Sequence, residues 1–584
     1  MPFSSPIYTE STECQDCYKC IRRCPVKAIR VENGHAKIIP ELCVFCGGCV
    51  THCPSHAKHI RDDISRARQL ISLKKRVFVS LAPSFISDFP DYTPSQMIAS
   101  LKKLGFTDVS ETALGADLIS AQLAEDLENA LNNEDSPKLF LSSACPAVVE
   151  FIKQFLPEFT PYITDRASPL LAHARYIRKQ YGEDVGIVFI GPCIAKKRES
   201  DVWKEIDVAL TFNELRRWFK LEGINSQNQS HTEGASSFEF FPHRAAKGSL
   251  YPIDGGMILA CKEYNKLSGV RFMTVSGLNE IEKTLGGFDI KSLKNPLFME
   301  LLSCPGGCVN GPGTSEKTSG AERRLLVENY AETSENIINP QLSKVAPFLQ
   351  GTLPVIKKSV AVFTDEEIRN ALRSVGKYSA KDELNCASCG YDTCRSFAAA
   401  ILDNRAEKTM CVSYMRKLAQ KKANGLIKAI PSGVVIANKG LQIVECNLNF
   451  AKLMGHDVIE MYEAKPGLEG ADLDKFTSAA RFFSDVLALN GPDVIDRDIR
   501  EGKKIFHVTV FVIEKEEIAA GVFEDVTAPQ NQKTRTVTQA RKIIDKNLSV
   551  VQKIAFLLGE NAAETESMLN SIIDSYGNDE DGNP

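Results

Sequence analysis

The sequence predicts an α/β multidomain protein with several cores in series, and three observations point that way. At 584 residues the chain is long for one core, since a domain takes roughly 150 residues. Apolar strand-like runs alternate with amphipathic helical stretches over more than half of its length. Of eighteen cysteines, sixteen fall into four groups with spacings that suit metal rather than disulfides. The composition, 43% hydrophobic and 25% charged, is that of ordinary folded protein. A net charge of -4 gives no basic field for phosphate backbones, which excludes nucleic acid as a main partner. No apolar run reaches the roughly 20 residues needed to span a bilayer. The opening MPFSSPIYTESTEC also lacks the charged and apolar regions of a signal peptide. The expectation is a cytoplasmic protein with no membrane partner, from an organism living with little oxygen.

The first module, residues 1–70, is set by two cysteine runs. Cys14, Cys17, Cys20 and Cys24 precede Pro25, and Cys43, Cys46, Cys49 and Cys53 precede Pro54, so C-x2-C-x2-C-x3-C-P occurs twice. This is similar to the bacterial two-cluster ferredoxin pattern, in which the fourth cysteine of each run crosses to the other cluster. Cys14, Cys17, Cys20 and Cys53 then hold one 4Fe-4S centre, and Cys43, Cys46, Cys49 and Cys24 the second. A zinc ribbon also uses C-x2-C pairs, but not two interleaved quartets with trailing prolines. Arg22, Arg23 and Lys27 read as a solvated basic face.

A linking helix in RDDISRARQLISLKK leads to the buried strand of RVFVSLAPSF, which turns at Pro83 and opens a large α/β region over 71–355. Helical PSQMIASLKKLGF and ADLISAQLAEDLENAL and strand-like VGIVFIGPC continue the mixture. Four cysteines lie far apart here: Cys145 in LSSACPAVVEF, Cys193 in IGPCIAKKRES, and Cys304 and Cys308 in MELLSCPGGCVNGPG. By spacing alone, each reads equally well as a small buried hydrophobe. In order and local sequence the three segments resemble the signature segments of the FeFe-hydrogenase active-site domain. That resemblance implies that Cys145, Cys193, Cys304 and Cys308 hold a 4Fe-4S cubane. Cys308 would also bridge to a di-iron unit bearing carbon monoxide, cyanide and a dithiolate, the whole being the H-cluster. It further implies that Lys196 donates to a cyanide, a charge-assisted bond. The other reading of Lys196 is a surface pair with Glu199, worth a few tenths of a kcal/mol. Lys196, Cys308, Glu199 and Ser168 form the candidate catalytic set. Gly255, Gly256, Pro169 and Ala144 are expected to line the cofactor pocket, where Gly306, Gly307, Gly311 and Gly313 let backbone approach the cluster closely.

The departures from that family are specific. Fast members have two adjacent cysteines where this chain has Ala144 and Cys145, and the first of them passes protons to the di-iron site. The relay glutamate that follows aligns with Leu123, with Glu125 and Asp126 nearby; a pocket methionine is Leu302; and a glycine triplet reads Gly311, Pro312, Gly313. A positioned general acid is worth about 10²- to 10⁴-fold, so slow turnover is expected.

Residues 356–418 carry Cys386, Cys389, Cys394 and Cys411 as C-x2-C-x4-C-x16-C. This resembles a small 4Fe-4S domain found with redox and regulatory proteins, zinc being the alternative. Residues 419–530 resemble a PAS α+β domain: in LIKAIPSGVVIANKGLQIVECNLNFAKLMG two strands meet across Asn438, Lys439 and Gly440 and lead into a helix, and IAAGVFEDVTAPQ closes the sheet. No ligand signature marks it. Cys261 and Cys446 read as packing residues; Cys446 and His456 could instead coordinate a ligand, but a core or surface role is the expectation. In the tail, 531–584, Ile544, Leu548, Val551, Ala555 and Leu558 form a short helical stripe that suits either a homodimer or packing onto its own domain.

The combination of modules resembles the sensory FeFe-hydrogenases. It implies an iron hydrogenase of the ferredoxin-linked type, exchanging H2 with protons and electrons slowly. The cofactors implied are the H-cluster and three accessory 4Fe-4S clusters. The partners implied are a redox protein such as ferredoxin and a downstream signalling protein. Two rivals remain at this point: a metabolic, ferredoxin-linked hydrogenase, and a non-catalytic iron-sulfur regulator without the di-iron site.

Overall fold

The apolar run Val77–Leu81 is a strand buried at every position, as expected where helices cover both faces of a parallel sheet. It lies inside a four-stranded sheet ordered Asp108–Glu111, Val77–Leu81, Gly186–Gly191, Val208–Thr211, with every pairing parallel. A second parallel sheet is ordered Arg271–Ser276, Leu297–Leu302, Leu139–Leu141. These belong to a computed structural model that describes residues 5–133, 135–226, 239–264, 267–315, 318–333, 349–354, 361–527 and 547. The chain divides into two units, 1–411 and 412–584.

The parallel sheets position the central cysteines. Cys145 follows strand Leu139–Leu141, Cys193 follows Gly186–Gly191, and Cys304 follows Leu297–Leu302. All three therefore leave carboxyl ends of parallel strands, where open α/β sheets bind their ligands. Behind the four-stranded sheet, helix Ala113–Asn132 packs on helix Pro169–Tyr181. Gly115 makes the approach feasible, since a Cβ there would lie 2.1 Å from the Pro169 carbonyl oxygen. His173, on the second of these helices, is fully buried between the hydroxyls of Ser80 and Ser110, both at 2.8 Å.

Burial drives the His173 imidazole down to about 3. The unfolded chain then takes up a proton below about pH 6.5 while the folded chain does not, so this residue's contribution falls as pH drops. Between pH 6.5 and 5 the stability advantage of the native protein over His173→Gln should shrink, with a slope that grows toward about 1.4 kcal/mol per pH unit. Paired urea unfolding at the two pH values reads this, and a constant difference would contradict it.

The N-terminal module has two antiparallel pairs, Ile7–Thr9 with Lys58–Ile60 and Ile29–Glu32 with His35–Ile38. It joins the α/β region through helix Ile64–Leu73, where RDDISRARQLISLKK is expected to be helical. A buried charge network ties that junction down. Lys197, 0% exposed, donates to Asp63 at 2.8 Å, Glu214 at 2.9 Å and the Ala209 carbonyl at 2.9 Å. Asp63 also accepts from Arg61 and Arg66.

In the fourth cysteine group's region, helix Cys394–Leu402 packs on helix Asp365–Ser374. The second unit opens with helix Val412–Ala429 and continues as a five-stranded antiparallel sheet. Its order is Ile443–Cys446, Gly433–Asn438, Ile518–Asp525, Lys504–Glu514, Val494–Glu501. The two strands read from LIKAIPSGVVIANKGLQIVECN do pair, across Asn438, Lys439 and Gly440, and Asn447 caps the helix that follows. Cys446 lies in this core and Cys261 in the α/β core, both as packing residues. His456 is exposed beside Glu460. The terminal helical stripe lies outside the described residues. Among the described residues, no helix is long and apolar enough to cross a membrane.

Candidate metal centre

The two N-terminal cysteine runs share one backbone design. Asp16 and Tyr18 in the first run, and Phe45 and Gly47 in the second, occupy matching places between cysteines, and all have positive φ, as do Lys27 and His56 after the runs. Residues other than glycine take this conformation rarely. Its repetition at matching places bends each loop around a common centre, with backbone N–H groups turned inward.

The thiols gather in the interleaved sets expected from the sequence. Cys24, Cys43, Cys46 and Cys49 line one cavity, walled by apolar Val26, Ile29 and Val44. Burial pushes the Cys24 thiol up to about 11, with Cys46 adding to the rise, and raises Cys43 and Cys49 as well. Cys20, also raised to about 11 by burial, feels Cys14, Cys17 and Cys53. Thiols crowded this way resist ionising together in an empty apolar pocket, whereas a coordinated cation deprotonates a thiol outright. The donor sets fit iron-sulfur clusters.

The central site repeats this chemistry. Cys145 immediately precedes helix Pro146–Phe155, at its N-cap position. Cys193, pushed up to about 11 chiefly by burial, feels Cys145, and Cys304 and Cys308 are raised further by burial and by their neighbouring thiols. The loops that carry them interlock. Gly313 donates its N–H to the Pro192 carbonyl at 2.8 Å, and Val309 donates to Pro252 at 3.1 Å. A Cβ on Gly307 would come within 2.3 Å of the Pro252 carbonyl. Gly255, at φ 84, begins helix Gly256–Lys262 beside this contact. Gly256 lies against the Leu250 carbonyl, 1.8 Å from where its Cβ would be, so its visible task is close backbone packing.

Lys196 is 8% exposed, so the pair it makes with Glu199 is buried rather than at the surface. Its ammonium donates to Ser168 Oγ at 2.9 Å and Glu199 Oε2 at 2.6 Å, and the Ser168 hydroxyl donates to Glu199 Oε1. Ser168 also caps helix Pro169–Tyr181, with Pro169 in its first turn. The Lys196 charge reaches Cys193 and Cys308 and offsets a small part of the rise that burial imposes on both thiols. Lys196, Glu199, Ser168 and Cys308 therefore belong to one constellation.

The second N-terminal quartet abuts this site. A Cβ on Gly47 would stand 2.5 Å from Pro312 and 2.9 Å from Ile194. Cys46 feels Cys145 and Cys193, and Cys304 feels Cys46. Beside Cys145, Ala144 is partly buried against the α/β core and Leu123 is wholly buried. Asp126 is held by Arg166 at 2.6 and 2.7 Å, and Glu125 accepts from Gln122. Leu302 is buried. Sequence reasoning passed over Glu300, a buried carboxyl pushed up to about 7 by burial, whose charge acts on Cys308. The signal was present, since an acid in the apolar strand LFMELL is unusual.

In the last cysteine group, Cys389 is raised by burial and feels Cys411 and Cys386, while a hydrogen bond from Ser388 lowers Cys386. Cys394 begins helix Cys394–Leu402, its N–H bonded to Asn385. Arg22 and Arg23 are exposed, in line with a solvated basic face, and Arg22 and the half-buried Lys27 also bond this group's loop. The energetic reason is that the loop's carbonyls need donors.

Residues 75–312 match the model of the iron only hydrogenase large subunit, C-terminal domain. Residues 6–62 match a 4Fe-4S dicluster domain and 382–413 an Fe-S cluster model. The chain is 27% identical to the periplasmic [Fe] hydrogenase large subunit of Nitratidesulfovibrio vulgaris, over 53% of this chain and 86% of that one. It is 24% identical to the nuclear prelamin A recognition factor of Xenopus laevis, over 52% and 81%. One solved [FeFe]-hydrogenase structure, concerned with oxygen inactivation of the H cluster, aligns with 51% of this chain and 100% of its own, at 19% identity and a TM-score of 0.42.

Proposed function

Because the chain belongs to the FeFe-hydrogenase-like large-subunit family through residues 75–312, we propose that it is a slow, sensory hydrogenase. In this reading Cys145, Cys193, Cys304 and Cys308 hold an H-cluster, which supplies reversible cleavage of H2 into two protons and two electrons. The observation that carries it is the buried Lys196. A site for a cubane alone has no evident need of a buried ammonium beside its four thiols, held by Ser168 and Glu199. An anionic cyanide is a ligand that such a cation would orient. The surrounding chain excludes water, and the N-terminal clusters carry electrons onward. The cluster at Cys386, Cys389, Cys394 and Cys411 completes the accessory set. The sheet order in 419–530, second, first, fifth, fourth, third along the chain, supports reading that region as a PAS domain. Cytoplasmic location and a downstream protein partner are part of the same reading.

A second reading has its own support. Relatives include NAR1 of Arabidopsis thaliana and the cytosolic iron-sulfur assembly component 3 of Rattus norvegicus, and Ala144 with Leu123 replaces polar relay positions by apolar ones. On that view the chain is a redox regulator with cubanes and no di-iron unit.

Infrared spectra of the protein matured with the dedicated assembly enzymes separate the two. Carbon monoxide and cyanide bands are expected, with iron approaching about eighteen per chain: four per cubane in four cubanes, and two in the di-iron unit. Protein made without those enzymes should keep its cubanes and lose activity. Absence of the bands after maturation would leave the regulator.

A further inference from the structure

The fourth cysteine group is fastened to the N-terminal module by contacts made within both sets of cluster-binding loops. Arg22 donates through Nη2 to the carbonyl of Cys17, at 3.0 Å, and through Nη1 to the carbonyl of Ser388, at 3.2 Å. One guanidinium thus joins a backbone group of the first quartet to the loop between Cys386 and Cys389. Lys27 donates to the Gly390 carbonyl at 2.8 Å, and the N–H of Asn33 donates to Glu407 at 2.8 Å. The N–H of Val31 donates to the Arg405 carbonyl at 3.2 Å. Gly390, at φ 93, has no room for a Cβ, which would sit 2.6 Å from Ile21. Tyr391 is buried at the contact and feels the thiols of both Cys389 and Cys24. The loop is therefore tied to the Cys17 carbonyl of the first quartet through Arg22 and packs on Ile21, three residues before Cys24 of the second.

We propose that this interface is an electron outlet. Electrons pass from the N-terminal clusters to the cluster of Cys386, Cys389, Cys394 and Cys411, with Arg22 and Lys27 as positioning residues that hold the loops in register. Electron tunnelling falls steeply with distance, so loops joined through one guanidinium suit fast exchange. The direction rests on the hydrogenase reading: each H2 oxidised yields two protons, released to solvent, and two electrons, each reducing one 4Fe-4S cluster from the 2+ to the 1+ state. The outlet ends at Cys411, and the next residue begins helix Val412–Ala429. The oxidation state of the outermost cluster is thereby placed one peptide bond from the segment leading to the antiparallel sheet.

The test uses the full chain with all clusters in place, verified by iron content. In dithionite-reduced native protein, electron paramagnetic resonance should show magnetic interaction between the fourth cluster and the N-terminal pair. Arg22→Ala with Lys27→Ala should weaken that interaction. On rapid mixing with H2, it should delay reduction of the fourth cluster while the N-terminal clusters fill at the native rate. Arg22→Lys should restore part of the effect, and Glu407→Ala, across the same interface, should act in the direction of the double variant. Unchanged coupling and unchanged filling in the double variant would overturn the role of the clamp, and no interaction in native protein would overturn the outlet. Dithionite reports the interface whatever H2 does. Intact, clamp-dependent coupling in protein that H2 fails to reduce would therefore support the outlet and remove the hydrogenase reading instead.

Discussion

Lys197→Met is expected to cost about 3–5 kcal/mol of stability, the range for removing one partner from a buried ion network. The native ammonium is fully buried and satisfies Asp63, Glu214 and the Ala209 carbonyl together. Methionine fills the volume but leaves the acids facing an apolar group, and Asp63 keeps only Arg61 and Arg66. Desolvation alone would raise Asp63, yet its carboxyl is held below the usual range, chiefly by Lys197. Most of the loss should therefore come from Glu214, whose other contacts are neutral: the N–H groups of Asp63 and Thr211 and the Thr211 hydroxyl. Anaerobic urea unfolding measures the cost. A loss under about 1 kcal/mol, the value of an exposed pair, would contradict the network. Adding Glu214→Gln should return part of the loss, since it removes the stranded charge.

This network shows where sequence reading ran out. In IGPCIAKKRES the two lysines look alike, and resemblance singled out Lys196 alone. The fold gives them opposite duties on one helix, Ala195–Val202: Lys196 turns to the thiols and Lys197 to the junction with the N-terminal module. Their partners, Ser168, Asp63 and Glu214, come from segments remote in sequence, so spacing carried no trace of them. The ferredoxin-like quartets were legible because the geometry is local, each C-x2-C loop dictating its own turn. The buried strands Val77–Leu81 and Gly186–Gly191 were legible as continuous apolar runs. Arg22 and Arg23 are exposed as read, but the bonds of Arg22 and Lys27 to the fourth cysteine group's loop were not legible, because their partners lie over 300 residues away in the chain.

On the hydrogenase reading proposed above, Ala144→Cys should raise hydrogen turnover. Alanine leaves the position beside Cys145 without a proton carrier. The preceding residue, Ser143, shares a hydrogen bond with Thr164 at 3.1 Å. Leu123, wholly buried on the same helix as Asp126, stands where the resemblance puts the relay glutamate. If proton delivery limits the rate, native protein should be slow and should respond to buffer more than to added electron donor. The single substitution should then give less than the full value of a general acid, about 10²- to 10⁴-fold. Leu123→Glu alone should do little, because the carrier next to the site is still missing. It also carries a stability cost, since it buries an acid where only apolar packing exists. Together the two should exceed the product of their separate effects, as expected of residues in one pathway. Stopped-flow H2 oxidation at fixed donor and varied buffer reads each step. Fast native turnover, with no gain from either substitution, would show that protons already reach the site by another route, and the slow, sensory reading would lose its physical basis.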